Sequence, residues 1–187
     1  MQQEVTFAGF GGQGVMTAGK FLAQAAMNKG LEVVWIPSYG PEMRGGTAYC
    51  TVVISDKPVA SPIVNYPQNI VVMNRPSLQK FDSQVKEGGI LIINSSLIPE
   101  TSSRTDIKQV QVPCNQISID VMGTSRSANI AVLGALIGAN EMLSYEEVKD
   151  VMVKKFAKKP KVLEMNVEIF KRGYEYAKKE VEKLNNK

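Results

Sequence analysis

With no histidine among its 187 residues, this chain lacks the commonest general base and the commonest metal ligand together. Ser-His-Asp, Cys-His and histidine–metal chemistry are therefore closed to it. Acid–base work by the chain alone would fall to carboxylates, lysine or tyrosine. The candidate acids Glu42, Asp56, Asp82 and Asp120 stand singly, none spaced against another as a catalytic pair or a metal set requires. Asp56 in particular fits the turn Asp56-Lys-Pro58. Cys50 and Cys114 lie far apart and form no C-x-x-C pair, too few for an iron–sulfur cluster or a zinc ribbon. They read as small buried thiols or strand residues, with a disulfide open but unneeded at this size.

What the residue types offer is anion binding. Gly9, Gly11, Gly12 and Gly14 crowd into six positions after a short apolar run, Val5, Phe7 and Ala8. Glycines permit positive φ and close backbone approach, and the free N–H groups at a helix start attract negative charge. A second loop sequence, Pro37-Ser-Tyr-Gly-Pro-Glu-Met-Arg-Gly-Gly46, places Arg44 beside Gly45 and Gly46. There its guanidinium can reach a carboxylate or phosphate, or tie the loop to Glu42 or a neighbouring subunit. Ser38, Tyr39 and Gly40 belong to the same stretch, Tyr39 as a stacking, interface or packing residue. Asn129, at a later helix start, reads as a capping or loop-fixing amide and as a lesser candidate for ligand contact.

The elements that must carry these residues follow from periodicity. Residues 4–10 predict a strand; Val15, Ala18, Leu22 and Ala25 then fall on one helical face, stopped by Asn28-Lys29-Gly30. Strand, glycine turn and helix open a Rossmann-like βαβ unit. Leu31–Ile36, almost continuously apolar, predicts a parallel strand covered on both faces. The 37–46 loop would then leave the same sheet edge as the glycine turn. Further strands are expected over Thr47–Ser55, Asn69–Asn74, Ile90–Ile93 and, at an edge, Val110–Val112. Helices are expected from Pro76 to about Val85, over 127–139, from the capping box Ser144-x-x-Glu147 to about Lys158, and over 164–184. The segment 59–68, with Pro62 and Pro67, reads as extended. The fold class is α/β, a three-layer α/β/α arrangement around a mainly parallel or mixed sheet, with residues 1–187 as one domain.

Gly9-x-Gly11-x-x-Gly14 matches the dinucleotide fingerprint, but that fingerprint also wants an acid at the end of the second strand. Glu32 stands at its start, and its end is Ile36-Pro37-Ser38. Gly14 to Lys20 imitates a phosphate loop, yet Phe21 replaces the magnesium-binding hydroxyl and Lys20 lies inside the helical pattern. That match is accidental.

Composition sets the outer limits. A hydrophobic fraction of 44% with 21% charged residues is ordinary for a soluble protein. No apolar run approaches the ~20 residues a membrane helix needs, and Met1-Gln-Gln-Glu4 has no signal-peptide character, so a cytoplasmic location is expected. Residues 144–187 hold 12 of the 22 Lys/Arg and 8 of the 18 Asp/Glu, so the net +4 lies entirely there. That tail could meet an acidic partner or a polyanion, or be a solvated helical surface. Aromatic residues do not interleave with its lysines as a nucleic-acid surface would want.

The motifs Gly11-Gly-Gln-Gly14 and Pro37–Gly46 strongly resemble those of the gamma subunit, or gamma domain, of 2-oxoacid:ferredoxin oxidoreductases. The resemblance extends to Val53-Ile-Ser-Asp-Lys-Pro58 with Ser61-Pro62, Gly88–Ser96, and Asn129 with Leu133-Gly-Ala-Leu136, and so covers most of the chain. The form Ser-Tyr-Gly-Pro-Glu-x-Arg-Gly-Gly is closer to the 2-oxoglutarate and branched-chain (2-ketoisovalerate) enzymes than to the pyruvate ones. The resemblance implies a complex that converts a 2-oxoacid and coenzyme A to acyl-CoA and carbon dioxide and reduces ferredoxin. It implies thiamine diphosphate, magnesium and iron–sulfur clusters in partner alpha, beta and ferredoxin-like delta subunits, and none bound by this chain alone. Gly11, Gly12, Gln13, Gly14, Ser38, Tyr39, Gly40, Arg44, Gly45, Gly46 and Asn129 would then meet coenzyme A or a partner subunit. A stand-alone dinucleotide-binding oxidoreductase and a purely structural interaction subunit stay open beside this reading.

Overall fold

A computed structural model of the chain describes residues 2–39 and 47–186. Six strands form one mixed sheet: β1 (Gln2–Phe10), β2 (Glu32–Tyr39), β3 (Thr47–Ser55), β4 (Asn69–Val72), β5 (Ile90–Asn94) and β6 (Lys108–Val112), in the spatial order β2-β3-β1-β4-β5-β6. β1, β4, β5 and β6 run parallel, and β3 is antiparallel to both β1 and β2. β4 and β5 are apolar at nearly every position because helices or packed segments cover both their faces.

The helices are α1 (Val15–Asn28), α2 (Arg75–Phe81), α3 (Cys114–Met122), α4 (Ala128–Asn140), α5 (Tyr145–Phe156) and α6 (Pro160–Asn185). On one face of the sheet, α1 lies on β1–β3 while α4 and α6 cover β5 and β6. The core there unites Phe7, Cys50, Val52 and Ile92 with Leu22, Leu133, Leu136 and Phe170. The other face is thinner: α2 packs on β4 and β1, and Leu78, Phe81, Ile98 and Ile107 join Ala8, Ile70, Val72 and Ile93. The result is the expected three-layer α/β arrangement with a mixed sheet.

α4 is buried along most of its length, the mark of a helix enclosed on all sides. It approaches α6 so closely that a Cβ on Gly134 would collide with the Phe170 carbonyl, and one on Gly173 with the Ala131 carbonyl. The small residues over 128–139 thus serve the close helix approach their size suggests.

Two expectations are corrected. β2 runs parallel to β1 but does not touch it, because β3 lies between them. Accordingly β2 is an edge strand, half-buried and only partly covered on each face. Val33 and Trp35 pack toward α1, while Val34 and Ile36 register with Val53 and Thr51 on the thinner face. Its apolar run imitates a central strand because each face is still partly covered. The second correction is an omission: α3 sits where no helix is expected, started directly after Pro113. The remaining elements match the sequence reading within a few residues. α2 stops at Phe81 and a 3₁₀ turn, Asp82–Gln84, completes the stretch toward Val85, and α6 begins four residues earlier than expected, at Pro160.

Candidate functional site

β1 delivers the glycine turn to the carboxyl edge of the parallel strands. Gly12 and Gly14 have φ of 96° and 75°, the left-handed region in which an L side chain is strained. Gly14 is the N-cap of α1, with no side-chain cap and no acid in the first turn. Among the described residues no side chain caps the first N–H groups of α1, and no acid of its own first turn opposes the positive end of the helix dipole. Such a terminus can receive a phosphate or carboxylate.

Amide side chains hold this turn in place. Gln13 Oε1 accepts hydrogen bonds from Phe10 N at 2.7 Å and Asn74 Nδ2 at 2.9 Å, and Gln13 Nε2 donates to the Met73 carbonyl at 3.3 Å. Asn129 Nδ2 donates to the Gly14 carbonyl at 3.2 Å from the start of α4. Asn129 is thus the loop-fixing amide that its position predicts. Its buried side chain lies so near Gly14 that a Cβ there would come within 2.6 Å of it.

The network continues along the edge through residues that sequence reasoning missed. Asn74 Oδ1 caps α2 by accepting from Ser77 N at 2.9 Å. Asn94, fully buried, accepts from Cys114 N at 3.2 Å and donates to Asn115 Oδ1 at 2.8 Å. The available signal was positional: an asparagine follows or ends both β4 and β5, where a parallel sheet exposes unpaired backbone. Each amide here supplies both a donor and an acceptor.

β2 ends at the same edge. Tyr39 registers with Ala48, which registers with Gly9, so the end of β2 lies two strand spacings, about 10 Å, from the glycine turn. Tyr39 is 60% exposed and Ser38 half-buried. Gly40, Arg44, Gly45, Gly46 and Glu42 lie outside the described residues. The structure therefore brings Gly11, Gly12, Gln13, Gly14 and Asn129 together and sets Ser38 and Tyr39 on the adjoining rim.

The competing chemistries fare worse. Glu32 begins β2 at the opposite sheet edge, about 24 Å of strand from Tyr39, so it cannot hold a ribose beside the glycine turn. Lys20 sits within α1 with its ammonium 4.9 Å from the Trp35 ring centre, away from a phosphate-loop position. Asp120 accepts from Gln116 Nε2 on α3, and among the described residues no three His, Cys, Asp or Glu groups converge. Cys50 and Cys114 are buried free thiols. Burial pushes the Cys50 thiol up to about 12, against the smaller opposing effect of Trp35, and raises that of Cys114 further still. Neither is a nucleophile at neutral pH.

The arrangement can bind and orient an anionic group but carries no reacting side chain. Residues 4–176 match the family model described as pyruvate ferredoxin/flavodoxin oxidoreductase. The chain belongs to that family. Among curated proteins it is 40% identical over 179 residues to ketoisovalerate oxidoreductase subunit VorA of Methanothermobacter marburgensis, covering 95% of this chain and 37% of that protein. Among solved structures it is similar to the gamma subunit of a keto/oxoacid ferredoxin oxidoreductase from Geobacter sulfurreducens. The TM-score there is 0.82 at 28% identity, covering 95% of this chain and 97% of that one. It is also similar to the 2-oxoglutarate:ferredoxin oxidoreductase of Magnetococcus marinus, solved with 2-oxoglutarate, coenzyme A and succinyl-CoA bound. That match has a TM-score of 0.87 at 26% identity and covers 95% of this chain but 31% of that one. This member of the pyruvate ferredoxin/flavodoxin oxidoreductase family thus spans little more than a third of the VorA relative, and nearly all of the free-standing gamma subunit.

Proposed function

We propose that the chain, acting over residues 1–187 as a single gamma-type domain, is the gamma subunit of a multi-subunit 2-oxoacid:ferredoxin oxidoreductase. The complex oxidatively decarboxylates 2-oxoglutarate or a branched-chain 2-oxoacid such as ketoisovalerate. It joins the acyl group to coenzyme A, releases carbon dioxide and passes two electrons to ferredoxin. Alpha, beta and ferredoxin-like delta subunits supply thiamine diphosphate, magnesium and iron–sulfur clusters, and the complex works in the cytoplasm. In this reading the present chain does no bond-making.

Its contribution is the approach of coenzyme A. The observation that carries this is the uncapped start of α1, led by Gly14 and held by Gln13 and Asn129, at the sheet edge where β2 ends in Ser38 and Tyr39. The first-turn N–H groups suit a phosphate of coenzyme A, and Arg44 would add a bidentate fork. Gln13 bonds Phe10 N, the Met73 carbonyl and the Asn74 side chain, and Asn129 donates to the Gly14 carbonyl, so both position the turn in this reading. A purely structural subunit is the second reading, favoured by this engagement of both side chains with protein. It requires that no residue of the chain meet a ligand even in the complex.

The test is coenzyme A binding to the reconstituted complex. Arg44→Ala weakens it severalfold if the rim meets coenzyme A; unchanged affinity for this variant and for Gly12→Ala leaves the structural reading. Binding of NAD(P) or flavin by the purified chain would revive a stand-alone oxidoreductase instead.

A further inference from the structure

A groove of about 530 Å³ runs between α1 and α5, apart from the glycine turn. Phe21 and Val151 form its floor. Lys20 stands on one wall and Lys154 and Lys155 on the other, and no carboxylate lines it. Several neighbouring lysines are paired, Lys29 with Glu147, Lys149 with Glu146, Lys171 with Glu175 and Lys183 with Glu180. Among the described residues, none of the three groove lysines forms an ion pair. Lys154 and Lys155 without an ion partner, and Lys20 resting only on the face of Trp35, create a positive field around an apolar floor with a place for an apolar group beneath it.

We infer that this groove docks an acidic, extended segment of a partner protein, one that alternates carboxylates with apolar side chains. The carboxylates would meet the three ammonium groups, and an apolar side chain would cover Phe21 and Val151. Thr17 and Asn28 mark the ends of the groove along α1, about 16 Å apart at helical rise. Roughly five extended residues span that length. A lone phosphate fits less well, since the lining has no arginine fork and lysine is a point charge on a flexible stem. The inference is separable from the coenzyme A rim, because the two meet only at Thr17 in the first turn of α1 and all three groove lysines lie outside that rim.

The probe is the blocked pentapeptide acetyl-Asp-Leu-Glu-Leu-Asp-amide, titrated into the ¹⁵N-labelled full chain, with inorganic pyrophosphate in a parallel titration. Saturable shifts are expected at Thr17, Phe21, Gln24 and Val151. The affinity should fall about tenfold in K154E/K155E and decrease with added salt. K178E/K179E, the same charge change on α6, should leave it unaltered. K154Q/K155Q, which adds no carboxylate, should give a smaller loss in the same direction and guards against misfolding of the reversal variant. Absence of saturable peptide shifts overturns the inference. So does equal weakening by K178E/K179E, or pyrophosphate binding at the groove without peptide binding.

Discussion

The glycine turn and the α4–α6 seam use the same residue for opposite ends. In the turn, Gly12 and Gly14 are needed for their backbone dihedrals, and no described residue comes within 4 Å of a Cβ placed on Gly12. In the seam, Gly134 and Gly173 have ordinary helical backbones and are needed because no Cβ fits between the helices. The turn is held by side-chain amides and can be altered locally. The seam is held by backbone contact and cannot yield without parting two helices. Seam substitutions should therefore cost stability with binding spared, whereas turn substitutions should carry a binding loss with them.

The largest effect is expected at the seam. Gly173→Ala gains about 1 kcal/mol of helix propensity, but overpacking against the Ala131 carbonyl costs more, about 3 kcal/mol. A net loss of about 2 kcal/mol in urea unfolding should result, with coenzyme A affinity per folded molecule unchanged. A stable Gly173→Ala protein would show that the seam can spread and would remove the contrast.

Gly14→Ala should come next. The left-handed backbone costs about 1–2 kcal/mol, and Asn129 must also move from its contact with the turn. Stability and coenzyme A binding by the complex should fall together. Gly12→Ala has the same backbone penalty with no described neighbour to displace, so it should lose about 1 kcal/mol of stability. Any larger loss in binding then reports on the rim itself. Gln13→Ala removes the acceptor shared by Phe10 N and Asn74. A loss of about 1–2 kcal/mol by urea unfolding is expected, with faster hydrogen exchange at Phe10.

The smallest effect lies away from both regions. Burial works to raise the Glu147 carboxyl, but Ser144 N–H and Lys29 outweigh it and hold it below its ordinary range. A carboxyl depressed in the folded state stabilises at pH above its unfolded value, and that contribution is lost as pH falls through the folded one. Glu147→Gln should therefore flatten the decline in stability on acidification slightly, as read by thermal unfolding from pH 6 downward.

Much of this architecture is legible in the sequence, and the failures have physical causes. The turn, α1, β3, β5 and the capping box at Ser144 announce themselves through local rules, namely glycine clustering, periodicity and side-chain caps. The placement of β2 does not, because whether β3 inserts between β1 and β2 is decided by sheet pairing far apart in sequence. α3 was hidden because Cys114–Met122 mixes polar and β-branched residues and begins at Pro113, without a side-chain cap. At the candidate site, Gly11 to Gly14 and Asn129 were readable from type and position. The fastening role of Asn74 and Asn94 was not, since it depends on which strands become neighbours. Gly173 likewise looks like a blemish in a helical stripe until α4 is laid against it.

The most direct test is ferredoxin reduction by the reconstituted complex, with and without this chain, on 2-oxoglutarate or ketoisovalerate and coenzyme A. The account predicts no turnover by the chain alone, little by the partner subunits alone, and full activity with a low Michaelis constant for coenzyme A once the chain is added. Turnover of a 2-oxoacid by the isolated chain, or full activity of the partners without it, would contradict the account.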